Sequence, residues 1–144
     1  MSVPTKPGVN SLDLLIGILT FVADEQKRSE IPCTTPKLQN AIYSLSKQPE
    51  FADYFRDYSF QKRGYYHFSE GLLADFRNLE RLECISAKNP RFVNYTLHSN
   101  VLQRFFNSKY SGEQGDAPVE LNILKDMAKA ICKNWVDENT GKGS

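Results

Sequence analysis

At Cys84 the chain changes its period. From Ser69 onward, Leu72, Leu73, Phe76, Leu79 and Leu82 recur at three- and four-residue spacing, one stripe of a helix that Ser69 can cap. Beyond Cys84 the stretches "CIS" and "RFVNYTL" have strand character instead. Val93, Tyr95 and Leu97 alternate against Phe92, Asn94 and Thr96, and Lys88, Asn89 and Pro90 read as the turn between two strands. A helix wired straight into a short two-stranded ribbon leaves few folds open.

The remaining segments read as helices. Residues 1–10, with Pro4, Pro7 and Gly8, form a flexible N-terminal arm. Asn10 or Ser11 then caps a helix in which Asp13 meets the positive end of the dipole, and Leu12, Leu15, Ile16, Leu19 and Val22 make an amphipathic core stripe. The charged run "DEQKRSE" ends it, and Ile31 and Pro32 open a turn. A second helix begins at "TTPKLQNAIYSLSK", with Thr35 as cap, Pro36 in the first helical position and Leu38, Ile42 and Leu45 as the buried stripe. "PEFADYFRDY" also reads as helical, with Phe51, Tyr54, Phe55 and Tyr58 on one side. Further helices are expected from about Asn100 to Tyr110 and from about Val119 to Val136, separated by the loop "SGEQGDAP" and followed by a flexible tail over 137–144. Residues 11–136 are thus expected to form one domain.

Composition narrows the function classes. A chain of 144 residues sits near the commonest size for a single domain, and 40% hydrophobic with 24% charged residues is ordinary for a globular one. Lys and Arg number 18 against 17 Asp and Glu, a formal charge of +1, so no global field draws the chain to nucleic acid or anionic lipid. Cys33, Cys84 and Cys132 lie far apart without a CxxC or a zinc-like histidine spacing, and read as free, mostly buried thiols in a reducing compartment. The longest apolar run, "LDLLIGILTFVA", is too short to span a bilayer and carries Asp13. A cytoplasmic protein with no membrane partner, no metal and no cofactor is expected.

Several helices ending in one helix and a β-ribbon describe a winged-helix arrangement. The expected fold class is mostly α with a small β-ribbon: a winged-helix-like helical domain with additional C-terminal helices. "KLQNAIYSLS", then "YSFQKRGYYHFSEGLLADFRNLERLECI" and "RFVNYTL", resemble the pattern shared by the Panacea-type antitoxin-like domains and related small bacterial proteins. That pattern has a Leu-Gln helix, an aromatic segment with a glycine shortly before an aromatic-Ser helix start, and a closing ribbon. The likeness covers about residues 34–97, fewer than half of the chain. Where those relatives have a Tyr-Gly-Pro-aromatic-Ser run, this chain has "RGYYHFS", with the glycine displaced and no proline. The resemblance implies an intracellular, non-enzymatic, partner-binding protein of the toxin-neutralising or phage-defence kind.

A winged helix raises the question of DNA. Arg77, Asn78 and Arg81 can share a face, with Lys62 and Arg63 before the helix and Lys88 and Arg91 in the wing to hold phosphates. Against this, the helix sets four acids (Glu70, Asp75, Glu80, Glu83) beside two bases (Arg77, Arg81), a local charge of minus two. Such a helix suits a duplex poorly, and a solvated face with salt pairs such as Arg77 with Glu80 is the plainer reading.

The aromatic segment offers the other surface. Phe51 to Phe68 holds eight of the seventeen aromatics. They read as core, as a protein interface built on tyrosines near arginine, or as stacking rings for unpaired bases. The leading expectation is docking of a protein partner through Tyr58, Tyr65, Tyr66 and His67; a nucleic-acid-binding regulator is the alternative. The last helix, with Trp135, either completes the core or closes a homodimer.

Catalytic spacings are weak. His67 and His98 are far apart, Asp53 and Asp57 flank Arg56 as a solvated edge, and Ser69 is explained by capping. Cys84 belongs at a helix-to-strand junction, where a small buried residue is expected. A non-enzymatic protein is the expectation, with an enzyme of unknown class as the remote alternative.

Overall fold

A computed structural model describes residues 10–64, 66–89, 94–110 and 119–141, with backbone alone at 87–89, 94 and 134–141. The chain is mostly helical with small antiparallel sheets. Its first helix, α1 (Ser11–Gln26), is the axis of the core. Asn10 caps it, its Oδ1 accepting from Leu12 N–H at 2.7 Å. The residues from Leu14 to Thr20 are buried without a break, as are Val22 and Ala23. The expected one-sided stripe is therefore a helix enclosed over most of its length, whose fully exposed residues, Asp24 and Glu25, lie in its last turn. Thr20 tolerates this because its hydroxyl donates to the Ile16 carbonyl at 2.6 Å.

Ile31 and Pro32 do not make a turn. They lie in a strand, β1 (Glu30–Thr34), whose inward residues Ile31 and Cys33 alternate with exposed neighbours. The next helix, α2 (Thr35–Ser46), is capped one residue earlier than expected, by Thr34, whose hydroxyl accepts from Lys37 N–H. The stretch after Pro49 is not a full helix. It winds into a 3-10 turn (Ala52–Phe55) that sinks Phe51, Phe55 and Tyr58 into the core. A hairpin of β2 (Gln61–Arg63) and β3 (Tyr66–Phe68) follows, turning through Gly64 at φ +63°.

The helix that leads into Cys84 is α3 (Glu70–Arg81), capped by Ser69 as expected. It ends without glycine. Glu83 takes the left-handed conformation at φ 69°, Glu83 N–H returns to the Glu80 carbonyl and Cys84 N–H to that of Leu79, both at 2.9 Å. This closure turns the backbone at Cys84 into β4 (Ile85–Asn89), which pairs with β5 (Asn94–His98). The ribbon is not alone. β1 pairs antiparallel with β5 from Glu30↔His98 to Thr34↔Asn94, giving the order β1-β5-β4. Ile31, Cys33, Ile85, Tyr95 and Leu97 thus form one buried layer.

Two helices complete the body: α4 (Ser99–Tyr110) and α5 (Leu121–Gly141), the latter running beyond the expected end at Val136. Both pack on α1. Leu124 of α5 comes so close to Gly17 that a Cβ there would lie 2.7 Å from its Cδ1. Trp135, Tyr65 and the arm before Asn10 fall outside the described side chains. No described helix is long and apolar enough to cross a membrane.

Candidate functional site

The connection from α2 to α3 builds the site. Gln39, fully buried on α2, holds both backbone groups of Ser69: its Oε1 accepts from Ser69 N–H at 2.9 Å and its Nε2 donates to Ser69 O at 3.1 Å. Next to it, Asn40 Oδ1 accepts from His67 N–H at 3.1 Å. Two successive amide side chains of α2 thereby act as a strand edge against β3. The hairpin is pinned on that side, while all three residues of β2 stay exposed.

Between α2, the 3-10 turn and the hairpin lies an open cleft of about 590 Å³. Its rings are Tyr43, Phe60 and His67, with the buried Phe55 and Tyr58 behind, and its cations are Lys47, Arg56 and Lys62. The imidazole of His67 lies flat on Tyr43, centroids 3.7 Å apart and planes 4° from parallel. Phe60 meets Tyr43 edge-on at 5.3 Å, and Lys47 Nζ sits over the same ring at 5.3 Å. Among the described residues no Asp or Glu lines the cleft.

The expected docking residues divide. His67 lines the cleft, and Tyr66 stands half-buried on the hairpin, edge-on to Phe68 at 6.3 Å. Tyr58 is mostly interior: its hydroxyl donates to Asp75 Oδ2 at 2.6 Å, and the same oxygen accepts from Ser11 Oγ at 2.8 Å. That carboxylate ties α3 to α1 and to the aromatic segment, so Tyr58 serves the fold first. Burial, and then the bond to Asp75, hold its hydroxyl well above the usual tyrosine range. Tyr65 lies outside the described residues. Tyr43, Lys47 and Phe60 carry the cleft yet were no part of the expected site. Their one sequence signal is the four-residue spacing of Tyr43 and Lys47 on a helix, which brings a ring and a cation together.

The expected DNA contacts scatter. Lys62 and Arg63 are exposed on β2, and Arg63 covers the Phe68 ring at 4.0 Å. On α3, Arg77 and Arg81 are exposed and Asn78 half-buried, with Arg81 donating to Asn78 Oδ1 at 3.2 Å. Glu70, Glu80 and Glu83 are exposed around them. The Lys88 side chain and all of Arg91 lie outside the described residues. No family model, curated protein or solved structure matches this chain. The reading of the cleft therefore rests on its own geometry.

One constellation escaped the sequence. On the sheet, His98 Nε2 is 2.8 Å from Ser86 Oγ, and its Nδ1 is 3.9 Å from Glu30 Oε2. The order of groups is that of a serine hydrolase, but the adjoining cleft presents Glu80 and Glu83, carboxylates where acyl transfer needs hydrogen-bond donors. Glu30 is itself largely in water, and Glu30↔His98 is a register pair, so the trio reads as a clamp across β1, β5 and β4. Cys84 is fully buried at the junction, and burial raises its thiol to about 11, far from a nucleophile's range. Among the described residues no group of three or more His, Cys, Asp or Glu side chains is placed to hold a metal.

Proposed function

We propose that this chain is a non-enzymatic bacterial binding protein that acts by docking a protein partner across the cleft between α2 and the β2–β3 hairpin, as an antitoxin-like or phage-defence-associated regulator would. The carrying observation is the cleft itself: a cluster of rings flanked by exposed cations, with His67 presented to it by a hairpin pinned to α2 along one edge. Aromatic and cationic side chains together are the composition of interface anchors. The resemblance over residues 34–97 points the same way, and its Leu-Gln and aromatic-Ser elements are the residues joined by the Gln39–Ser69 hydrogen bonds.

The fold reading that accompanies this is winged-helix-like. Supporting it, a helix, a strand, two further helices and a ribbon follow in that order, and β1 closes the sheet. The chain departs from a plain helix-turn-helix, because residues 47–69 separate α2 from α3 where roughly three or four suffice. That insertion is the cleft wall and the hairpin.

The test is site-directed photo-crosslinking in the source cells, with the crosslinker at Lys62, exposed at the cleft, and, as control, at the exposed Lys129 of α5. A protein adduct formed at position 62 and absent at 129 is expected, together with no mobility shift of duplex DNA. A duplex shift that vanishes at higher salt and is abolished by Lys62→Glu with Arg63→Glu would replace this reading with DNA binding.

A further inference from the structure

We infer that the cleft between α2 and the hairpin is selective for an acidic peptide segment, a short run of Asp and Glu carried by the protein partner. This rests on the docking role proposed above and adds its chemistry. Lys47, Arg56 and Lys62 are all exposed, and the ion pairs formed among the described residues, His98 with Glu30 and Lys109 with Asp13, involve none of them. Among the described residues no carboxylate lines the cleft to neutralise them. These three cations face one concavity while the exposed carboxylates of Glu50, Asp53 and Asp57 stand outside its lining, so positive charge is concentrated in the cleft itself. A Debye length of about 8 Å at physiological salt lets that charge act across a space this size. Arg56 offers the planar fork that grips a carboxylate through two hydrogen bonds, and the two lysines supply point charges beside it.

The Tyr43 ring is a poor platform for nucleic acid. A base needs an open π face to stack on, yet Tyr43 has His67 flat against it and Lys47 over it, and Phe60 meets the same ring at a steep angle. A long polyanion leaving the cleft would also run past the exposed carboxylates of Glu50, Asp53 and Asp57. A short acidic peptide meets the cations without crossing that flank, and its apolar neighbours can rest on Phe60 and the wall behind.

The experiment is an amide chemical-shift titration of the full, isotope-labelled chain. Its probes are a synthetic Glu/Asp-rich peptide, the same peptide with Gln and Asn in place of the acids, and a single-stranded oligothymidylate. The acidic peptide is expected to shift amides of residues 43–47, 56–62 and 67, less so as salt rises. The exposed double variant Arg56→Glu with Lys62→Glu should weaken that binding roughly tenfold or more while leaving the remaining spectrum in place. The inference falls if the acidic peptide leaves these amides unmoved, if the neutral peptide binds as well, or if the double variant binds like the original chain. Tighter binding of oligothymidylate would overturn it in favour of single-stranded nucleic acid. A crosslink at position 62 alongside a failed titration would sink the acidic chemistry and leave the docking role standing; failure of both would remove the role as well.

Discussion

Gly17 and Glu83 show two opposite uses of a backbone position. Gly17 lets α5 approach α1: an added Cβ would meet Leu124 Cδ1 at 2.7 Å and the Tyr110 hydroxyl at 2.9 Å. That hydroxyl is held in place by its bond to the Asp13 carbonyl at 2.7 Å, so the neighbour has little freedom to yield. Gly17→Ala should therefore destabilise by about 1–3 kcal/mol despite the better helix propensity of alanine, measured as a lower midpoint in denaturant. Glu83 is the reverse case. It sits at φ 69°, where a side chain costs energy and glycine does not. Glu83→Gly should raise stability by roughly 0.5–1 kcal/mol, and a lowered thermal midpoint would contradict the closure described for α3. Neither role is written in the local sequence. Gly17 lies within an uninterrupted apolar run, and the stop after α3 carries none of the glycine or proline that usually marks one.

At the scale of elements, Gln39 is the joint between α2 and α3. A buried amide that satisfies the N–H and the carbonyl of one residue replaces a rung of sheet, and it sets Ser69 where its hydroxyl can accept from Leu72 N–H. Gln39→Leu strands both Ser69 groups in a dry environment and should cost about 2 kcal/mol or more, with hydrogen exchange fastest at the start of α3 and in β3. Uniform loss across the molecule would mean that the joint is not local. The caps at Asn10 and Ser69, the stripes of α2 and α3 and the ribbon after Cys84 were legible because each depends on neighbours within four residues. The strand β1, the hairpin and the short 3-10 turn were not. Pro32 argues against a strand until β1 is seen at the sheet edge, where its missing N–H costs nothing. The aromatic stretch after Pro49 has helical spacing because its rings must all turn toward one core.

For the whole molecule, the buried thiols and phenols make a common pH response. Burial raises Cys33 to about 12 and Cys84 to about 11, from 9.0, and holds Tyr58 and Tyr110 above their ordinary 10.0, helped by Asp75 and Asp13 respectively. In the unfolded chain these groups ionise at their ordinary values, while in the folded chain they stay neutral. The unfolded state thus sheds protons first, so stability is full below about pH 9 and falls as pH climbs toward the folded values, by roughly 1.4 kcal/mol per unit for each group. Chemical denaturation followed from neutral pH upward should show that decline, and a flat profile would contradict it. What the sequence determined by itself was local: helices where apolar residues recur at three and four, a ribbon where they alternate, caps where Ser, Thr and Asn precede them. Those periods are imposed by backbone geometry over a few residues and need no partner. The enclosure of α1, the addition of β1 to β5, the clamp of Glu30, His98 and Ser86, and the meeting of Tyr43, Phe60 and His67 beside three cations were decided by tertiary structure alone. Each joins residues from separate elements, and chain spacing carries no record of which surfaces will close upon one another when the core excludes water.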